Sequence, residues 1–289
     1  MYRRRGERDA DDPSNRGTTV HPARIWAQRQ REYAAVFAPE LPAGHFFCGR
    51  TAAAIWRLPV PASRNDDLEV ACFSPDRAVR RSGFRGREVR GHLVNVVEAD
   101  GVPLSDPATT WAMLARELSP FDLVALGDAA IREHRIGGTS RSSRPPLAAL
   151  SDLEAAVEMG RRPGLPQLRA ALPLLSTKSA SPPESYLRLL LTEWGAPPVE
   201  LDYDIFDGDG QFIGCSEFAF PRYMLVIEYE GQHHRDENSQ WDRDIEKYRH
   251  YNQLGWEVIR VTAELLFRRR EYLRYLIFEA LTRRGWSGR

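Results

Sequence analysis

YMLVIEYE, residues 223–230, decides the reading of the fold. Side chains alternate along an extended strand, so positions 224, 226, 228 and 230 share one face and 223, 225, 227 and 229 the other. One face begins with Met224 and Val226 and ends with Glu228 and Glu230. A strand apolar on both faces belongs to the middle of a covered sheet. Two acids at its end are costly there. Like charges about 4 Å apart repel by roughly 4 kcal/mol at an effective dielectric near 20. A divalent cation offsets that repulsion directly.

The neighbouring segments extend the pattern. VELDYDIF (199–206) and QFIGCSEFAF (211–220) have strand character, and Asp207-Gly208-Asp209-Gly210 joins them as a hairpin turn. The short link Pro221-Arg222 makes the second and third strands hairpin neighbours, so Glu217 faces Glu228 across the pair. SPPESYLRLLLTEWG opens a helix with Ser181 as N-cap, Pro182 at the first helical position and Glu184 in the capping-box place. A helix over about 239–254, a strand over 256–262 and a long last helix to about 284 follow. The order is α-β-β-β-α-β-α, an α/β arrangement of α+β type around a mixed sheet. Gly231, Gln232, His233 and His234 come directly after the acidic strand end. Three carboxylates and a nearby histidine suit a hard cation and phosphodiester chemistry. On the following helix Asp244, Lys247 and Tyr251 share one flank, at i, i+3 and i+7. Lys247 therefore has a route to the acids.

The first half reads differently. Helix formers fill 22–37, and Gly49-Arg50-Thr51 looks like a second helix start. LEVACF (68–73) and EVRGHLVNVV (88–97) read as strands, and Ser105 as the cap of a helix through Thr109, Trp111 and Leu114. Between the two strands lie Arg77, Arg80, Arg81, Arg85, Arg87 and Arg90, either a solvated face or a contact for nucleic acid. Residues 1–20 read as a disordered, solvated tail, 21–172 as one α/β domain and 173–289 as a second.

Composition narrows the classes. The 289 residues carry 40 Lys plus Arg and 40 Asp plus Glu. From residue 173 on there are 15 basic against 19 acidic residues, and the first part holds the +4 balance. An acidic second half is unlike a simple DNA-binding module and suits carboxylates awaiting a cation. The only lysines are Lys178 and Lys247; every other basic side chain of this kind is arginine. Three cysteines without metal-ligand spacing read as buried thiols in a reducing cytosol, and no apolar run spans a bilayer. The expected location is cytoplasmic.

The runs SPPESYLRLLL, IGCSEFAFPRYMLVIEYEGQHH and DRDIEKYRHYNQLGWEVIRVT, in this order and spacing, resemble the very-short-patch-repair-endonuclease-like domain of unknown function, of the PD-(D/E)XK superfamily. The resemblance covers about residues 180–265. It implies a restriction-endonuclease-like fold and a metal-dependent endodeoxyribonuclease using Mg²⁺ or Mn²⁺. Glu184, Glu217, Glu228, Glu230, Gly231 and His234 fall on its motif, with Asp244, Lys247 and Arg260 after them. It implies Glu217 and Glu228 as metal ligands with Glu184 behind them, and Glu230 or His234 as the group that orients the attacking water. The family's Asp is Glu217 here, and its strand lysine is absent. The segments HFFCGRTAAAIWRLPVP and GVPLSDPATTWAMLARELSPFDLVALGDAAIRE are similar to the region before such domains, distantly like the antitoxin of abortive-infection systems. The nuclease-like resemblance implies a nucleic-acid partner, DNA first, and the antitoxin-like similarity a phage-defence setting. The alternative is a weakened nuclease fold that binds nucleic acid or acts in a toxin–antitoxin-like pair. Each residue also has an ordinary reading: Glu184 as a cap alone, Lys247 as a solvated helix lysine, Arg260 as the partner of a core carboxylate.

Overall fold

The computed structural model describes residues 22–231 and 238–288, with the side chains of 238–244 left aside. The expected tail over 1–20, and His233 and His234, lie outside the described residues, as does the side chain of Asp244.

The first unit packs helices on one mixed sheet. Helix α1 is Pro22–Phe37; β1 (His45–Phe47) leads into α2 (Gly49–Ile55). Then come β2 (Leu68–Phe73), β3 (Phe84–Val89), β4 (Val96–Ala99) and β5 (Val102–Ser105). The sheet order is β3-β2-β1-β5-β4. The segment expected as one strand over 88–97 is two, because a 3-10 turn at Gly91–Leu93 breaks it, and β1 and β5 were too short to show as periodic patterns. Helix α3 is Pro107–Leu114, capped by Asp106 rather than Ser105: its carboxylate accepts from the Thr109 amide at 2.6 Å. Ser105 ends β5 instead, one residue earlier. Helices α4 (Pro120–Ile131), α5 (Leu150–Glu158) and α6 (Leu165–Ala171) complete the unit around Trp111, Leu114, Leu126 and Leu153, all inaccessible to solvent.

The second unit has the expected order. Helix α7 is Pro182–Glu193; β6 (Glu200–Phe206), β7 (Phe212–Phe220) and β8 (Leu225–Glu230) form an antiparallel run, and β9 (Glu257–Thr262) joins β8 in parallel after α8 (Asn238–Gln253). The mixed α+β class read from the sequence is the one observed. Leu187, Phe218, Leu225, Ile227 and Ile277 build the core on one face of the sheet, and Val226, Tyr251 and Trp256 build it on the other. Two details differ. Met224 precedes β8 in a left-handed conformation (φ 49°), so the acidic face begins at Val226. The last helix is two, α9 (Ala263–Arg268) and α10 (Arg270–Arg283), parted at Arg269 where the backbone leaves helical geometry (φ −126°, ψ 46°). No helix among the described residues is long and apolar enough to cross a membrane.

The units meet along α4 and α7. Asp128, buried at 1% exposure, accepts from Ser185 Oγ at 2.7 Å, from Arg188 at 2.8 Å and from the Ser176 amide at 2.7 Å. Beyond the end of α4, Arg135 reaches the second sheet and donates to Asp202 at 2.7 Å and Asp204 at 2.5 Å. A buried acid held by three donors is fully compensated, which makes this contact part of the fold.

Candidate functional site

The β7–β8 register pairs Phe218 with Ile227, Ala219 with Val226 and Phe220 with Leu225. Continued by one step, it sets Glu217 against Glu228, as the sequence predicts. Both strands are covered by helices there, and Glu228 keeps 5% of its surface. Glu217 accepts a 2.6 Å hydrogen bond from the Tyr229 amide, which holds its carboxylate over the end of β8. Glu184 comes from the first turn of α7. Its oxygens accept from Ser181 Oγ at 2.7 Å and from the Ala180 amide at 2.8 Å. So Glu184 is both a helix cap and a wall of the site, where the ordinary reading offered only the cap.

These carboxylates line one cavity of about 300 Å³ with Glu230, Lys247, Tyr248, Arg260, Asp202, Cys215, Arg132, Arg135 and Lys178. A water takes about 30 Å³, so a hydrated cation and a phosphate have room. The acids feel one another. Burial, then the charges of Glu184 and Glu228, push Glu217 up to about 9, against the pull of the Tyr229 amide and Lys247. Burial also raises Glu184, with Glu228 adding to it, while the Ala180 and Ser181 hydrogen bonds pull back.

Lys247 does reach the site. Its ammonium lies 3.0 Å from Glu228 Oε1, and it sits over the rings of Tyr248 and Tyr251, both at 5.4 Å. Gly214 makes this approach possible. A Cβ there would stand 2.7 Å from Tyr251 Oη and 3.3 Å from Lys247 Cγ. The cation that the strand position lacks is thus delivered from α8, on the flank that the i, i+3, i+7 spacing marked.

Glu230 lines the cavity but is ion-paired with Arg260 of β9. That is the ordinary reading of Arg260, and it engages the carboxylate that was a candidate to orient water. The electrostatic neighbours that act with Glu228 on Glu217 and Glu184 are these acids themselves rather than Glu230.

The arginine cluster takes another course. Arg85 and Arg87, read as a solvated face or a nucleic-acid contact, pair with Glu69 and Glu117: Arg87, half-buried, lies 3.1 Å from Glu69 and 2.6 Å from Glu117, and the exposed Arg85 3.4 Å from Glu69. The parallel register of β2 and β3 explains it, since Glu69 is paired with Arg85 and two residues on lies Arg87. Arg81 pairs with Glu40 at 3.2 Å at the surface, and Arg77 and Arg80 are exposed. None of the five lines the carboxylate cavity. The basic residues that line it besides Lys247 come from three segments: Arg132 and Arg135 just after α4, Lys178, and Arg260. Apart from Arg260, no local pattern singled them out.

As the side chains stand, no three His, Cys, Asp or Glu groups among the described residues converge closely enough to hold a metal. Each acid is turned to a protein donor. The donor chemistry fits a hard divalent cation all the same. Glu217 and Glu228 are paired carboxylates facing one cavity, and the Tyr229 carbonyl is a further oxygen of the same strand end, the oxygen chemistry that such a cation takes.

Comparison with known proteins finds two uncharacterized proteins of Mycobacterium tuberculosis, from strains CDC 1551 / Oshkosh and ATCC 25618 / H37Rv. Each is 29% identical over 187 residues, which cover 64% of this chain. The matched region spans about 60% of the length of those curated relatives. Neither a protein-family model nor a solved structure matches the chain.

Proposed function

We propose that the chain is a metal-dependent nuclease whose site is the Glu184–Glu217–Glu228 cluster with Lys247. One observation carries the reading: two buried carboxylates, Glu184 and Glu228, and the half-buried Glu217 share a cavity with a lysine held 3.0 Å from one of them, and Glu217 is raised to about 9 by desolvation and then by the charges of the other two. Carboxylates held this close, one of them kept protonated, are the kind of arrangement that functional sites maintain. Glu217 and Glu228 would hold Mg²⁺ or Mn²⁺, with Glu184 behind them. The cation, when bound, supplies charge neutralisation for a phosphate and a more acidic water. Lys247 keeps a positive charge beside Glu228, where the transferring phosphoryl group gathers negative charge. Arg260 holds Glu230 at the rim, and Tyr248 and Tyr251 hold the lysine stem. The substrate class is a phosphodiester of DNA.

A second reading, nucleic-acid binding without cleavage, is favoured by the protein donors that already occupy each acid. The two separate in one experiment. The full chain is incubated with DNA and RNA, single- and double-stranded, in Mg²⁺ or Mn²⁺, beside Glu228→Ala. Cleavage by the parent and none by the variant is expected. A variant that cuts as fast as the parent would remove the site from the reaction, and a parent that binds without cutting would leave the second reading.

A further inference from the structure

Of the 40 Lys plus Arg residues in this chain only Lys178 and Lys247 are lysine, and both line the same cavity. Lys247 is engaged by Glu228. Lys178 belongs to the segment between the two units, and its side chain is exposed at the cavity rim. That segment is bolted to the end of α4. Asp128 accepts from the Ser176 amide at 2.7 Å, the Glu133 amide donates to the Thr177 carbonyl at 2.9 Å, and Arg132 donates to the Ala180 carbonyl at 2.8 Å. Three bonds across six residues make a fixed platform, on which Lys178 and the Arg132 guanidinium stand together. The field of Arg132 already reaches Glu184 inside the cavity. The cavity therefore has an acidic floor from the second unit and a wall from the first unit and the linking segment on which Arg132, Arg135 and Lys178 outnumber the one acid, Glu133.

A single small anion has no use for both. A polyanion of regularly spaced phosphates does: one phosphate meets the floor with its cation, and the next meets the wall. We infer that Lys178 and Arg132 hold the backbone phosphate adjoining the one placed over Glu217 and Glu228, so that the first unit builds half of the substrate site. This rests on the reading of the carboxylate floor given above. A compact ammonium with three rotatable donors suits a point contact with phosphate, and the charge is what the contact requires.

The test is binding of a labelled oligonucleotide to the full chain in Ca²⁺, as single-stranded DNA, duplex DNA and RNA of one sequence, over a series of salt concentrations. Lys178→Glu should weaken binding by about tenfold or more and lower the salt slope by about one for the lost contact. Lys178→Arg should restore both, which a merely structural role for the lysine would not require. Arg132→Lys should lie between. Which of the three nucleic acids shows the largest loss identifies the backbone. A Lys178→Glu protein with the parent's affinity and salt slope overturns the inference, as does a parent that takes up Mn²⁺ yet binds none of the three. Failure of the nuclease reading looks different: binding that depends on Lys178, with no cleavage in Mg²⁺ or Mn²⁺, supports the phosphate wall and removes only the reaction.

Discussion

Each unit gathers glutamates around a buried one on a strand, Glu69 in the first and Glu228 in the second, and the two clusters are compensated differently. In the first unit Glu69 and Glu117 meet Arg50, Arg85 and Arg87, and the Arg50 amide at the start of α2 donates to Glu69 at 3.2 Å. Burial raises Glu69 against the pull of Arg87; burial also pushes Glu117 up, but the Arg87 hydrogen bond and the charges of Arg87, Arg85 and Arg50 together bring it below its ordinary range. In the second unit Glu184, Glu217 and Glu228 share Lys247 and a few amides. The first cluster is closed, with three cations for two acids. The second lines an open cavity together with Lys247, Arg132, Lys178 and Arg260. Buried acids alone do not mark a site; a cavity that they line together does.

Four experiments break or sharpen this contrast. The largest effect is expected from Glu228→Ala, which should lower metal-dependent cleavage by about 10³-fold or more in a single-turnover assay. It also relieves Glu217 and Glu184, so the melting temperature without metal should hold or rise. A large loss of stability would mean that the second cluster is as structural as the first.

Arg87→Met is the mirror image. It strips the buried Glu69 and the half-buried Glu117 of their main partner and should destabilise the fold by about 3 kcal/mol in urea titration. Affinity for Mn²⁺, measured calorimetrically on the folded protein, should not change. Loss of Mn²⁺ binding would tie the clusters together and dissolve the contrast.

The third experiment is pH. In the fold Glu217 keeps its proton to about 9, whereas in the unfolded chain it loses it near the ordinary value of about 4.3. Between those values the folded state binds more protons, so stability is highest below the unfolded pKa and falls as pH rises through the window. Thermal melts without divalent ions should show that decline from pH 5 to about 9, Mg²⁺ or Mn²⁺ should reduce it, and Glu217→Gln should flatten it. Glu69 shifts in the same direction, so a slope untouched by Glu217→Gln would move the effect to the first unit.

The smallest effects concern the two glycines that make room. A Cβ at Gly49 would lie 1.9 Å from Glu69 Oε2, on a residue with φ 53°. Gly49→Ala should cost about 1–3 kcal/mol of stability and leave metal binding alone. Gly214→Ala should cost less stability yet lower cleavage, by displacing Lys247. If the two variants exchanged these effects, the assignment of structure to one cluster and chemistry to the other would be reversed.

Much of the second unit was legible, because its strands are long enough to show alternation and its turns carry Asp-Gly and Pro signals. The meeting of Glu217 with Glu228 needed only a short hairpin and a period of two. Lys247 needed one helical flank. Other features were hidden for physical reasons. The pairing of Arg85 and Arg87 depends on Glu117, about thirty residues away on another element, and the basic wall depends on how α4 seats against α7. Asp202 shows the same limit. It sits opposite Glu217 in the β6–β7 register with a left-handed backbone, φ 53°, and its charge is taken by an arginine sixty-seven positions earlier in the chain.

That arginine has a thermodynamic consequence. Arg135 grips Asp202 and Asp204 and approaches Cys215 Sγ at 3.3 Å, while the Gly137-Gly138 turn just beyond it presses on the Phe212 ring so closely that a Cβ at Gly138 would lie 2.8 Å away. The stretch that follows α4 is thereby a rivet between the first unit and the second sheet. Opening either unit leaves charged groups of the other without partners, so the free energies of the two are not separable. The chain should unfold in a single cooperative transition, with one calorimetric endotherm rather than two.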